Sequence, residues 1–152
     1  MDPLSIVASC VALATLASSG LSKIRELQGV GQEIDLLNNE VEDLALVFSE
    51  IESSKAQLEN SSARDPGLSE KITVLLLSAK EKLEEVLKLI DELRASRRDG
   101  KLKSALSQWQ KKKRGQVKNI TKSLQEIRTN VLALMATAQL SVHSNFPEST
   151  VE

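Results

Sequence analysis

The sequence contains no tyrosine and only one cysteine, one histidine and one tryptophan among its 152 residues. One cysteine cannot form an intramolecular disulfide, and one cysteine with one histidine cannot supply the four ligands of a structural zinc site. Glycine and proline are also scarce, at six and three residues, which disfavours a fold of short strands and tight turns. The composition therefore predicts an all-α protein of one domain, with a core of Leu, Ile, Val and Ala.

The sequence offers few side chains for catalysis. A Ser-His-Asp or Cys-His mechanism would depend on His143, which lies in the polar segment near the end of the sequence. The sequence holds no phosphate-binding glycine loop. We therefore expect a protein that is not an enzyme, with no catalytic residue, no metal site and no cofactor. The acidic residues of the second predicted helix are expected on a solvated face instead; they are Glu40, Glu42, Asp43, Glu50 and Glu52.

Positive and negative charges are divided between the two parts of the chain. Residues 1–60 carry three basic residues against ten acidic ones, whereas residues 61–152 carry 17 against 11. From Arg94 to Arg128 there are twelve basic residues and two acidic ones. Such a segment either attracts an anionic lipid surface or forms a solvated face that balances the acidic second helix. The predicted lipid contacts are Arg97, Arg98, Lys101, Lys103, Lys111, Lys112, Lys113 and Arg114.

The first helix is predicted to begin at Asp2-Pro3, because a capping residue precedes a proline at the first helical position. No charged residue follows from Pro3 to Ser22. A helix that is apolar nearly all round is either the central helix of a bundle or a helix that enters a membrane. Asp2 stands where a secretory signal carries a basic residue, which argues against secretion. The predicted membrane-inserting residues are Leu4, Ile6, Val7, Val11, Leu13, Leu16 and Leu21.

Three further helices are predicted from apolar residues spaced three and four apart. The second helix covers residues 34–58, with a stop at residues 60–62 and a turn at residues 65–67. The third begins at Leu68 or Ser69 and ends near residue 98, and the fourth covers residues 117–138. The predicted core positions are Ile34, Leu37, Val41, Leu44, Phe48, Ile51, Trp109, Ile120, Leu124 and Ile127.

Residues 101–114 are the least clear segment. They are predicted to form a short helix that docks Trp109 on the bundle, followed by a hinge at residues 111–115. Short connections between long helices indicate antiparallel packing. The whole pattern therefore predicts an antiparallel four-helix bundle with one additional short helix. The bundle is expected to occupy residues 1–142 and to be followed by a flexible tail of residues 143–152.

Four sequence features together resemble one family. The chain starts with Met-Asp-Pro-Leu-Ser-Ile-Val-Ala-Ser before the charge-free helix, and Leu-Leu-Asn-Asn-Glu-Val follows at residues 36–41. Leu106, Trp109 and the lysines of residues 111–113 form a third block, and the helix through residues 124–139 is the fourth. This combination resembles the HeLo-like N-terminal domain of fungal NACHT receptors of the STAND class and of fungal cell-death executors. The resemblance covers nearly the whole chain.

The resemblance implies a function in programmed cell death, of the kind that acts in fungal heterokaryon incompatibility. A domain of this type is expected in the cytoplasm at rest. After signal-induced self-association its N-terminal helix enters anionic lipid of the plasma membrane and permeabilises it. The signal would come from an upstream NLR-like receptor through a C-terminal amyloid motif, which residues 141–152 do not contain.

Two other functions differ in class. A non-lytic signalling adaptor at the N-terminus of a STAND receptor would use its helix surfaces to associate with itself or with a partner. Nucleic acid is not expected as a partner, because only Trp109 offers a stacking surface and no known binding motif is present.

Overall fold

The computed structural model describes the backbone of residues 3–27, 31–98 and 102–143, and the side chains of residues 5–27, 31–61, 63–95 and 113–137. The described residues form five helices and no strand, which confirms the all-α prediction. The helices are α1 (Pro3–Arg25), α2 (Gln32–Ser53), α3 (Lys55–Arg64), α4 (Pro66–Arg98) and α5 (Leu102–His143).

The four long helices form a bundle in which each has two long neighbours. α1 packs against α2 and α4, and α5 packs against the same two helices. Over the described residues α1 does not contact α5, and α2 does not contact α4, so these pairs are the diagonals. The short helix α3 contacts all four long helices and carries the chain across the diagonal from α2 to α4.

Pairs of residues in contact show the direction of each helix. Lys23 near the end of α1 pairs with Asp91 near the end of α4, so these two helices run in the same direction. Glu33 of α2 pairs with Arg114 of α5, and Glu40, further along α2, pairs with Arg128, further along α5. α2 and α5 are therefore also parallel. The pairs joined by short connections, for which the sequence predicts antiparallel packing, are α1 with α2 and α4 with α5, and both pairs are in contact.

The bundle is held together by one apolar core. Phe48 is fully buried, and it is the only aromatic side chain buried in the described part of the chain. α1 contributes Cys10 and Ala17 to the same core. The side chain of Trp109 lies outside the described residues. The other predicted core positions are all buried; they are Ile34, Leu37, Val41, Leu44, Phe48, Ile51, Ile120, Leu124 and Ile127.

The end of α2 differs from the prediction. The helix stops at Ser54, whose N–H donates to the carbonyls of Glu50 and Ile51, and α3 begins at the next residue. Leu58 is still buried, but it lies on α3. The stop predicted at residues 60–62 is wrong, because these residues are helical. Packing explains this: Ser61 is buried at this position, and tertiary contacts override its weak helix propensity.

The start of α4 also differs. Pro66 is the first residue of the helix, so the turn predicted at residues 65–67 is in fact a helix start. The carboxylate of Asp65 accepts a hydrogen bond from the N–H of Gly67 at 3.1 Å, which caps the helix. Asp65-Pro66 is therefore the same start signal that the sequence shows at Asp2-Pro3.

The short helix and the hinge predicted within residues 101–115 are wrong. α5 is one continuous helix of 42 residues that passes through Gly115. Gly115 faces solvent, and a glycine at such a position costs only about 1 kcal/mol relative to alanine. The buried stripe of α5 that includes Val117, Ile120 and Leu124 outweighs this cost. The structure does contain a short helix, α3, but it lies where the sequence predicted the end of the second helix and its stop. The predicted domain end at residue 142 stays a prediction, since residues 144–152 lie outside the described residues.

Candidate functional site

One described helix is long and apolar enough to cross a membrane. The span covers Ser5–Arg25 of α1, and a third of its apolar window is buried in the bundle. This criterion uses length and composition alone, and the core helix of a soluble protein or a signal sequence also meets it. The helix therefore permits membrane association without demonstrating it.

α1 has a core face and a solvent face. Of the predicted membrane-inserting residues, Ile6, Leu13 and Leu21 are buried, whereas Val11 is 43% exposed. Val7 and Leu16 are half-buried, and the side chain of Leu4 lies outside the described residues. α1 is therefore not surrounded by helices on all sides: like the other long helices it lies at the edge of the bundle, with one face buried in the core. The exposed residues beside Val11 are small or carry a hydroxyl group, which explains how this face tolerates water; they are Ala8, Ala12, Thr15, Ser18 and Ser19.

Ion pairs attach the C-terminal end of α1 to α4. The ammonium group of Lys23 lies 3.1 Å from the carboxylate of Asp91. The guanidinium of Arg94 lies 2.8 Å from the carboxylate of Glu26, just after α1, and 3.8 Å from Asp91. These four side chains are partly exposed, so each pair is worth less than about 1 kcal/mol. The described N-terminal half of α1 makes no ion pair with α4.

Most of the predicted lipid-contacting side chains lie outside the described residues. Arg97, Arg98, Lys103, Lys111 and Lys112 lie on α4 and α5, but their side chains are outside the described residues, as is the whole of Lys101.

The last two members of that set are placed. Lys113 is half-buried and Arg114 is exposed. Arg114 also has a partner within the bundle, because its Nε donates a hydrogen bond to the carboxylate of Glu33 on α2, while its side chain stays 60% exposed.

A second pair joins the same two helices. Arg128 of α5 donates hydrogen bonds from Nε and Nη2 to the two carboxylate oxygens of Glu40, at 2.7 and 3.4 Å. The Glu40 side chain is only 10% exposed, so the prediction that it lies on a solvated face is wrong. Glu40 is therefore paired within the bundle. Its hydrogen bond with Arg128 raises the pKa of the Arg128 guanidinium.

These pairs bear on the predicted positive field. Arg94, Arg114 and Arg128 are three of the twelve basic residues between positions 94 and 128, and each has a carboxylate partner. Two of those partners lie on α2, so the acidic second helix balances part of the basic segment, as one of the two interpretations of the sequence expects. The sequence shows only that Glu33 and Glu40, seven residues apart, lie on one side of α2, and that Arg114 and Arg128, fourteen apart, lie on one side of α5. It does not show that these two sides meet.

Two buried side chains, Cys10 and Asn38, carry polar groups. Cys10 is fully buried, and burial, with a smaller contribution from the charge of Glu52, raises the pKa of its thiol to about 12. Asn38 is 4% exposed, and its Oδ1 has no hydrogen-bond partner among the described residues. Sequence analysis missed Asn38. Within the described ranges, no cluster of three or more His, Cys, Asp or Glu side chains is placed to hold a metal ion.

Comparisons with protein-family models, with curated proteins and with solved structures find no match. The resemblance to HeLo-like domains therefore rests on the sequence motifs alone. The structure adds a helix bundle with one apolar edge helix and with ion pairs that join α1 to α4 and α2 to α5.

Proposed function

We propose that this chain is a membrane-permeabilising cell-death domain in which α1 leaves the bundle and enters the lipid bilayer after self-association. The observation that carries the proposal is the state of α1: a helix of membrane-spanning length, without charge from Pro3 to Ser22, that lies at the edge of the bundle with one face in water. A helix at the edge has fewer neighbours to leave than a central helix would have.

The bilayer offers α1 a second environment for the same apolar surface. In the bundle, side chains such as Ile6, Leu13 and Leu21 are buried, but Val11 and its small neighbours are not. In a bilayer both faces are removed from water, so the apolar groups that the bundle leaves exposed gain transfer free energy. Thr15 is compatible with this, because its hydroxyl donates to the carbonyl of Val11 at 3.0 Å within the helix.

The charged residues at the end of α1 suit an interfacial position. Lys23 and Arg25 lie in the last turn, where long basic side chains extend to the lipid headgroups of an inserted helix. Lys111, Lys112 and Lys113 supply further attraction to anionic lipid, at about 1 kcal/mol for each basic residue near the surface. Arg114 belongs to the bundle through Glu33 and is left out of this set.

The cellular setting follows from the proposal. The domain is cytoplasmic at rest and binds anionic lipid of the plasma membrane when activated, as a homo-oligomer. An NLR-like receptor supplies the signal upstream. These statements rest on the sequence resemblance and on the composition of α1.

The alternative is a non-lytic adaptor bundle at the N-terminus of a STAND receptor. The observation that favours it is the exposure of large apolar side chains away from α1. Leu46 of α2 is 60% exposed, and Leu132 of α5, which lines the same groove, is 37% exposed. Exposed apolar groups at one groove are typical of a surface that binds another protein.

The experiment that tests the proposal compares two equivalent substitutions. Val11→Asp on α1 and Val74→Asp on α4 place the same charge at exposed valines, so both variants should fold. A charge near the centre of an inserted helix costs about 2.5 to 3.5 kcal/mol, so only Val11→Asp should suppress dye release from anionic vesicles. Circular dichroism checks the helicity of both variants. Equal leakage from the two variants would contradict the proposal, and leakage by neither variant nor the wild type would favour the adaptor.

A further inference from the structure

A half-enclosed apolar cleft lies between the N-terminal halves of α1 and α4. Its volume is about 200 Å³. Leu13 and Leu76 form its buried floor, and Leu77, which is 56% exposed, stands at its edge. The full lining is Ser9, Ala12, Leu13 and Leu16 from α1 with Thr73, Leu76, Leu77 and Lys80 from α4.

The polar groups of this lining are few, and only one is charged. Thr73 already donates its hydroxyl hydrogen to the carbonyl of Ser69 at 2.7 Å, so the hydroxyl does not need a ligand. Lys80 is exposed and has no carboxylate partner within the described ranges. It is also the last of the four α4 residues in the lining, so the residue lies toward one end of the cleft. The cleft is therefore an apolar slot with a cation at one end.

We propose that this cleft binds a free medium-chain carboxylate, with the acyl chain between α1 and α4 and the carboxylate paired with Lys80. Charge complementarity selects the head group, because the only charge in the lining is positive. The volume selects the chain: an apolar cavity of about 150 Å³ accepts benzene, so a somewhat larger slot accepts about eight carbons. The bound chain covers Leu77, which otherwise remains in water.

The occupied cleft has a consequence for α1. A ligand that contacts both helices binds the bundle with α1 docked and does not bind after α1 has left. By linkage, it stabilises the docked state and opposes release. This consequence rests on the proposed function, whereas binding of the carboxylate does not.

Isothermal titration calorimetry with sodium butanoate, hexanoate and octanoate tests the binding without vesicles. Affinity should rise about fourfold for each added methylene until the slot is filled. Octan-1-ol, which has the chain without the charge, should bind several-fold more weakly than octanoate.

Two variants locate the site. Ala12→Leu fills the slot from an exposed position and should abolish octanoate binding, whereas Ala56→Leu on α3 should leave it unchanged. Lys80→Gln should weaken octanoate to the level of octan-1-ol, whereas Lys71→Gln, also on an exposed face of α4, should have no effect.

The outcomes separate the two proposals. The site is supported if octanoate binds and if both Ala12→Leu and Lys80→Gln reduce that binding. This holds whatever the leakage assay shows. Absent binding, or binding that neither variant changes, overturns it. If octanoate does not bind, but the protein binds anionic vesicles and Lys80→Gln reduces that binding, the partner of this surface is a bilayer. That result also overturns the proposal. The vesicle leakage of the Val11→Asp and Val74→Asp variants decides the proposed function independently.

Discussion

Arg128 and Glu40, 88 residues apart in sequence, form a two-point hydrogen-bonded ion pair that joins α5 to α2. Both side chains are mostly buried, and Glu40 is the more deeply buried of the two. A carboxylate in that position depends on its partner, because burial without the guanidinium would leave a charge with little solvent. The pair therefore specifies how α2 and α5 pack along their length.

Removing one partner should be more harmful than removing both. Arg128→Ala leaves Glu40 buried without its cation and should reduce the free energy of unfolding by about 2 kcal/mol. The double variant Glu40→Leu with Arg128→Met should recover most of that loss, since apolar side chains of similar size can replace a buried pair. Urea denaturation measures both values. A double variant that is less stable than Arg128→Ala would contradict this account of the pair.

Glu33 should make the bundle less stable in acid. A backbone hydrogen bond at the start of α2, followed by the hydrogen bond from Arg114, holds the pKa of Glu33 below its ordinary 4.5. Because the pKa is lower in the folded state, the stabilisation is fully present above the ordinary value. It disappears as the pH falls through the folded pKa.

The measurement is the free energy of unfolding of the wild type and of Glu33→Gln across acidic pH. The difference between the two proteins should shrink as the pH is lowered from about 6 to about 3. Arg114→Gln should reduce the shift without abolishing it, because the backbone hydrogen bond is the larger cause. A difference that stays constant over this range would show that Glu33 does not titrate as described.

Gly115→Ala should stabilise the protein. The glycine lies inside α5 on an exposed face, and an added Cβ would meet no other atom within 4 Å. Alanine in a helix interior is favoured over glycine by about 0.5 to 1 kcal/mol. Thermal unfolding should therefore shift upward by a few degrees. A lower midpoint of thermal unfolding would contradict this prediction. A variant that is more stable but no longer permeabilises vesicles would indicate that Gly115 acts as a hinge.

The lysines of residues 111–113 should control the first contact with anionic vesicles. Charge reversal of Lys111, Lys112 and Lys113 to Glu should reduce cosedimentation, and added salt should reduce that of the wild type. Arg114 is kept, because its reversal would also break the pair with Glu33. The matched control reverses Lys55, Lys71 and Lys88, which are exposed and change the net charge equally. Equal loss in both triple variants would assign the effect to net charge alone.

The sequence was most informative where apolar spacing continued without a break. The three-and-four spacing from Ile34 to Ile51 predicted a buried face, and those residues are buried. The same regularity concealed the end of α2, because Leu58 keeps the spacing while the chain turns at Ser54. Local rules also overestimated the effect of Gly115, since the packing of α5 carries the helix through it.

The partners of the charged residues could not be predicted in the same way. Glu40 and Arg128 become neighbours only when α2 and α5 pack side by side, and the pattern of either helix alone is equally compatible with a solvated face. The solvent face of α1 was missed for a related reason: its alanines, serines and threonine counted as apolar or neutral in the sequence. Composition described the helix, and only the bundle showed which face was covered.

The movement of α1 into the bilayer is tested most directly by a fluorophore on its exposed face. Val11→Cys offers an exposed thiol for labelling with the environment-sensitive dye NBD, whereas native Cys10 is buried with a pKa of about 12 and should not react. The matched control is Val74→Cys on α4. On addition of anionic vesicles, NBD at position 11 should shift to the blue and be quenched by lipid labelled in its acyl chains, while NBD at position 74 should not. Unchanged emission at position 11 in vesicles that the protein permeabilises would contradict insertion of α1.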